Sequence, residues 1–489
     1  VRKLRRFPAI AAVAILTSAP AIARQQLPSK PIRSLVGMDA PEGLLIAQNT
    51  PTQPFTTQAP ASAPNSQMTP QPPSTSAPTP HTGPIQQLTL QDARRIALQN
   101  HPQVQSAIAL AAAAKAQVTQ AKSAYYPTIV GNATGVDAEN DSRITAGGIN
   151  NPVIYERYAN GISVNQVLTN FGHTHELVKS SDLHAKAQQE TVATTRADVL
   201  LGVDEAYYGL LRANALLTVA QQTVNERQLV ANQVTALERN QLRSGLDVSF
   251  ANVNLAQAKL LLIQAQNGVD AAQAKLSAAL GYSDVYTFQV QDEPMASAPP
   301  TDVADLLQQA LMNRPELIGL RLDAESAHAY ATAEHDLWFP TLSAAGAAGL
   351  TPYGATQLAP RYAAAGFNLN IPIFNGRLFN SLQTEAKERA IAQDQNVRNE
   401  VDVIARDVRT AWLDANSAYQ RLSVTNQLLD QANQSVQLAQ SRYNLGLSSI
   451  IELSQAQLNQ TQAQIEQASA KYDYQTQISL LNFEVGALH

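Results

Sequence analysis

Apolar residues recur every seven positions along much of the chain. Val203, Leu210, Leu217 and Val224 form one series, with Ala206, Ala213 and Ala220 three residues further on. Val248, Leu255, Leu262, Val269 and Leu276 form a second, shadowed by Ala251, Ala258, Ala265, Ala272 and Ala279. A third runs through Val401, Val408, Ala415, Leu422, Leu429, Val436 and Tyr443, shadowed by Ile404, Ala411, Ala418, Thr425, Ala432 and Ala439. A seven-residue period keeps one seam on a neighbouring helix only if the helices supercoil to the left. Alanine at the second seam position lets the helix axes approach closely. Residues 172–243 read as one helix of about 70 residues, or ~105 Å, far longer than a globular core requires.

A second pattern interrupts the first. Residues 128–136 and 158–168 read as two strands around a polar loop, and 341–350 and 361–374 as two more. Phe367-Asn368-Leu369-Asn370-Ile371-Pro372-Ile373 alternates apolar and polar with period two, as a strand with one apolar face does. Each is about ten residues long, the length a tilted membrane strand needs.

These elements occur twice. Asn100-His101-Pro102-Gln103-Val104 recurs as Asn313-Arg314-Pro315-Glu316-Leu317, and Tyr125-Tyr126-Pro127-Thr128-Ile129 as Trp338-Phe339-Pro340-Thr341-Leu342. Ser244-Gly245-Leu246 is matched to Leu445-Gly446-Leu447, and Ala279-Leu280-Gly281 to Glu484-Val485-Gly486. The duplication places one repeat at 85–293 and a second at 294–489. On this matching the first repeat carries four extra residues before its turn, a stutter that would locally unwind the coil.

The beginning of the chain differs from the rest. Arg2, Lys3, Arg5 and Arg6 precede an apolar run from Ala9 to Leu16, and Ala21-Ile22-Ala23 fits a small-x-small cleavage site. A signal peptide over 1–23 is expected. Fifteen of the 26 prolines fall within the first 84 residues, and 24–84, rich in Pro, Gln and Ser, reads as a disordered spacer. Two later stretches, between Pro152 and Pro294 and beyond Pro372, hold no proline, as long helices demand.

Composition narrows the chemistry. Only 15% of residues are charged, the net charge is -5, and no basic stripe follows the first few residues, so a nucleic-acid partner is not expected. There is no cysteine, which excludes disulfides, thiolate metal sites and a cysteine nucleophile. His173, His175 and His184 are too loosely spaced for a metal site, and His328, Glu334, His335 and Asp336 read as a solvated helix face. No catalytic, cofactor or metal residue is assigned. No segment reaches the ~20 apolar residues of a membrane helix, so any crossing must use strands. Four strands cannot close a barrel, because membrane barrels start at eight. An open edge in lipid leaves backbone groups unsatisfied, so copies must combine as a dimer, trimer or tetramer.

The duplication, the strand hairpins and the turns between heptad helices together resemble the TolC family of outer-membrane efflux channels. The most specific pieces are Arg442-Tyr443-Asn444-Leu445-Gly446-Leu447 followed by Ile451-Glu452-Leu453-Ser454-Gln455-Ala456-Gln457, and Leu242-Arg243-Ser244-Gly245-Leu246-Asp247-Val248 followed by Leu255-Ala256-Gln257-Ala258. The resemblance covers residues 85–489. It implies an α+β membrane protein with long coiled-coil hairpins and four transmembrane strands per protomer, twelve in a homotrimeric barrel. It further implies a Gram-negative outer membrane, a large periplasmic portion, and contact with outer-membrane lipid. A periplasmic adaptor and an inner-membrane pump of the RND, ABC or MFS class would dock at the far tips, in efflux or type I secretion. The family is not enzymatic. The competing reading is a non-conducting adaptor or structural coiled coil; adaptors carry one hairpin between β-rich halves, whereas this chain has two. In the family a closed aperture uses acidic rings, a tyrosine and an arginine near the second turn. That carries over to Tyr443, Glu452 and Gln455, with Ser448 in the arginine's place and Ala251 in place of a first-repeat acid. Asp247 is the competing acid at the other tip. Adaptor contact carries over to Gly245, Leu246, Gly446, Leu447 and Ser448.

Overall fold

The computed structural model describes residues 88–139, 153–354, 356 and 358–488. The signal peptide expected over 1–23 and the spacer expected over 24–84 lie outside these residues. The first half runs α1 (Leu90–Asn100), α2 (Pro102–Lys122), β1 (Thr128–Val136), β2 (Arg157–Thr169), α3 (His173–Arg239) and α4 (Gly245–Ala279). The second runs α5 (Val303–Asn313), α6 (Pro315–Asp336), β3 (Thr341–Gly354), β4 (Arg361–Asn370), α7 (Leu378–Asn444) and α8 (Ile450–Glu484). The long helices match in length: α3 and α7 have 67 residues each, α4 and α8 have 35.

The two halves share core positions one for one. Ala97, Val104, Val203, Leu276 and Leu280 pack in one cluster; Ala310, Leu317, Val408, Leu481 and Val485 pack in its counterpart. Each cluster sits where a short helix meets the root of a long hairpin. Gly281 and Gly486 have φ of +83° and +76°, and a Cβ at either would press on the backbone of the Asn-x-Pro turn that starts α2 or α6. Glycine is needed there for both conformation and space. A third cluster lies at the tips, where Ala231, Val234, Ala251 and Leu255 of the first hairpin meet Ala439, Tyr443, Ile450, Leu453 and Ala456 of the second.

The structure corrects the matching of the two turns. The left-handed residue of the first turn is Gln241 (φ +60°), and that of the second is Gly446 (φ +74°). Gly245 is the first residue of α4, with Ser244 as its cap. Gln241, not Gly245, is therefore the counterpart of Gly446. With that shift Ala206 falls opposite Ala411 and the expected four-residue stutter disappears. Apparent Gly-Leu identity had outweighed the heptad count.

The four strands form one antiparallel sheet in the order β1-β2-β3-β4. The register puts Ile129 beside Val164, Ile162 beside Ala348, Ala344 beside Phe367 and Leu342 beside Leu369 on one face. The other face pairs Val130 with Ser163, Asn165 with Ala345, Ser343 with Asn368 and Thr341 with Asn370. One face is thus apolar and the other mainly hydroxyl and amide, the alternation of a strand with lipid on one side and water on the other. The expected fourth strand ends early, at Asn370 rather than 374. Pro372 has no N–H for the ladder.

Helix packing has the same linear order as the sheet. In the shaft α4 packs on α3, α3 on α8 and α8 on α7; nearer the sheet α2 packs on α3, α3 on α6 and α6 on α7. Both helical layers and the sheet therefore end in free edges among the described residues. Leu262, a seam position, is only half-buried within one protomer. No described helix is long and apolar enough to cross a membrane.

Candidate functional site

The tips of the two hairpins bring together most of the residues singled out above. Tyr443, in the last turn of α7, is 1% exposed within the four-helix tip core. Its hydroxyl is buried and lacks a hydrogen-bond partner. Ala251, which stands in the acid's place only when residues are counted from Gly245, belongs to the same core and offers only a methyl group; counted from Gln241, that place falls on Asp247. Burial of the ring raises the hydroxyl's pKa, offset in part by Arg243.

Arg243 supplies a link that the sequence reading missed. Its guanidinium carbon lies 4.4 Å from the Tyr443 ring centroid, and its Nη2 donates to the Tyr443 carbonyl at 2.9 Å. That carbonyl belongs to the C-terminal turn of α7, where the helix dipole favours a cation. With the corrected turn register Arg243 is the first-repeat counterpart of Ser448. The arginine absent from the second turn is thus present in the first, and it reaches across to Tyr443. The duplication contained this signal, but only after Gln241 was set against Gly446.

The corrected register also makes Asp247 and Glu452 equivalent, each three residues into its helix. Their carboxylates do different work. Asp247 completes a capping box: its backbone N–H donates to Ser244 Oγ at 3.3 Å, and Ser244 N–H donates to Asp247 Oδ2 at 3.2 Å. Glu452 faces Arg442 Nε at 3.3 Å, both side chains about half exposed. Arg442, Glu452, Gln455 and Asn459 line a groove of about 620 Å³ along α7 and α8 with Gln431, Gln434 and Ser435. Gln455 Nε2 donates to Asn459 Oδ1 at 2.9 Å. The groove is polar but nearly neutral, with one acid balanced by one base.

Leu246 and Leu447 are 65% and 67% exposed, and Leu242 and Ile451, their counterparts in the corrected register, are exposed to a similar degree. Ser448 is half-buried, with an unpartnered Oγ. Gly245 and Gly446 meet nothing within 4 Å of a built Cβ, so Gly446 is required by its φ rather than by crowding.

The histidines are dispersed. His173 Nδ1 meets the Ala333 carbonyl at 2.8 Å, His184 pairs with Asp323 at 2.9 Å, and His328 with Asp394 at 3.0 Å. The hydrogen bond to Asp323 raises the pKa of His184. Among the described residues no three His, Asp or Glu side chains converge as a metal site. Glu334 departs from expectation: it is buried rather than solvated, with one carboxylate oxygen unpartnered.

Known proteins share this fold. The chain is 25% identical over 414 residues to the alkaline protease secretion protein AprF of Pseudomonas aeruginosa, covering 82% of this chain and 85% of that protein. It is 23% identical to the outer membrane protein TolC of Escherichia coli, covering 65% and 69% of the two chains. Among solved structures, the Campylobacter jejuni CmeC outer membrane channel superposes with a TM-score of 0.72 at 18% identity, covering 81% of this chain and 85% of that one. The Vibrio cholerae outer membrane protein VceC gives 0.68 at 18% identity, covering 81% and 96%. The profile of the outer membrane efflux protein family matches residues 93–282 and 306–486, one segment in each half. By that match, on both of its repeated halves, the chain belongs to the outer membrane efflux protein family.

Proposed function

We propose that three copies of this chain form a passive exit duct across the outer membrane of a Gram-negative bacterium. One observation carries the assembly: sheet and shaft each end in two free edges. β1 and β4 expose unpaired backbone, which lipid does not tolerate, so β1 of one copy pairs with β4 of the next. Twelve strands then close with the Ile129, Ile162, Phe367 face toward lipid and the Asn165, Ser343, Asn368 face toward a watery lumen. In the same way α7 of one copy lies against α4 of the next, which covers the exposed stripe of Phe250, Val253 and Leu260.

The duct is not an enzyme; energy comes from an inner-membrane pump of the RND, ABC or MFS class, in efflux or type I secretion. A periplasmic adaptor contacts Gly245, Leu246, Gly446, Leu447 and Ser448 at the tips. The domain boundaries follow the repeats, 85–293 and 294–489. The aperture lies at the tips, with Tyr443, Glu452 and Gln455 around it. Glu452 is the pore acid, because Asp247 is engaged in its helix cap. Single-channel recording in planar bilayers tests this. Wild type prefers cations, Glu452→Gln weakens the preference, and Asp247→Asn leaves it largely intact. The reverse order would show that the aperture acid is Asp247.

A further inference from the structure

The heptad series Ala206, Ala213, Ala220 continues in steps of seven to Arg227 and then Val234. An arginine therefore occupies a seam position otherwise held by small apolar residues. Its counterpart in the second repeat is Ala432. Arg227 is 5% exposed, buried between α3 and α8. Its Nη1 donates to Gln457 Oε1, and its Nη2 lies 3.5 Å from Thr461 Oγ1. Both partners are neutral, and no carboxylate among the described residues forms an ion pair with it. Burial disfavours its charged form, and only Glu226, its neighbour in sequence, offsets this.

Location gives this charge a consequence. Arg227 lies directly above the tip core, about 18 Å of helix from the end of α3. The contact of α3 with α8 is the main joint between the two hairpins of the shaft. Any movement of the second hairpin away from the first at the tip must strain this joint. Parting it exchanges two hydrogen bonds to neutral groups for hydrogen bonds to water, which is nearly even. It also returns a guanidinium to water, which is strongly favourable.

We propose that Arg227 is a positioning residue of the gate, a buried charge without a counter-ion that keeps the α3–α8 joint weak enough to part. The inference rests on the reading of the tips as the aperture. Arg227 does not bind cargo; it sets the balance between a joined and a parted seam. An alanine or leucine there would extend the tip core upward and hold the hairpins together.

Two substitutions remove the uncompensated charge by different chemistry. Arg227→Met replaces it with an apolar chain of similar length. Gln457→Glu leaves the arginine in place and supplies the missing carboxylate at nearly the same volume. Each full-length channel is reconstituted in planar bilayers and its fraction of time open recorded, with native mass measurement confirming the same assembly. Both variants are expected to open less often, by roughly tenfold. Arg227→Lys, which keeps the charge, restores opening. Arg243→Gln, which loosens the tip itself, serves as the control and opens more often. If Arg243→Gln opens more often while Arg227→Met and Gln457→Glu open as readily as wild type or more so, Arg227 clamps the joint and the inference is overturned. If Arg243→Gln has no effect either, the tip is not the gate and the inference falls with that reading. Should Arg227→Met fail to assemble, Gln457→Glu alone decides.

Discussion

Arg243→Gln is the sharpest perturbation of the tip. The arginine makes one charge-assisted hydrogen bond to the Tyr443 carbonyl and lies over the Tyr443 ring. A hydrogen bond to a charged group contributes about 1.5–3 kcal/mol, and a cation over an aromatic face about 0.5–2 kcal/mol. Arg243 is partly exposed, so both belong at the lower ends of their ranges. Glutamine retains a donor but loses the charge and the stacking, leaving a net loss of about 1.5 kcal/mol per protomer. That shifts the balance between a held and a released tip about tenfold for one protomer. If three protomers release together the factors multiply, to about a thousandfold. The assay is single-channel recording in planar bilayers, with the open fraction compared at matched salt. Brief, rare openings in wild type should become sustained in the variant. Arg243→Lys should lie between them, because it keeps the charge and loses the planar face. An open fraction unchanged in Arg243→Gln would refute the reasoning, since the link from Arg243 to Tyr443 would then not hold a gate closed.

Other consequences follow at greater distance. Leu246→Asp with Leu447→Asp should leave trimers intact in the outer membrane and abolish co-purification of the adaptor; retained adaptor would argue against tip docking. Asp204 is fully buried and accepts two hydrogen bonds from Arg94, at 2.7 and 2.5 Å. Arg94→Ala should therefore cost about 3–5 kcal/mol, read as loss of the folded assembly at lower temperature, and adding Asp204→Asn should recover part of it. His184 gains affinity for its proton from Asp323, so its folded pKa lies above the unfolded value of about 6.5. Its contribution is complete below that value and is lost as pH rises through the folded pKa. Thermal stability should fall as pH rises above about 6.5, and His184→Gln should flatten that slope.

Much of the architecture is legible in the sequence because two periodicities are. Phe367, Asn368, Leu369 and Asn370 alternate, and the four strands form where such alternation is bounded by proline and polar loops. The heptads place Val203, Leu276 and Val408 in cores, as found. Leu262 is less buried than its heptad position suggests, because α4 is an edge helix that packs chiefly on α3 within one protomer. The turn register was not legible from short identities: Gly245 resembles Gly446 in sequence, yet Gln241 carries the left-handed conformation. That single shift hid the equivalence of Asp247 with Glu452 and the presence of Arg243 opposite Ser448. Glu334 gave no sign in the sequence, because burial of a charge on a long helix depends on which neighbours cover that face. Arg227 did give one, since it continues the Ala206, Ala213, Ala220 series in steps of seven to Val234.

The central claim is that four strands per chain cannot close alone and three copies close together. Native mass measurement of the detergent-extracted channel tests it most directly. A particle of three copies, with no stable monomer or dimer, is the predicted result. A monomer that inserts into membranes and conducts would contradict the account.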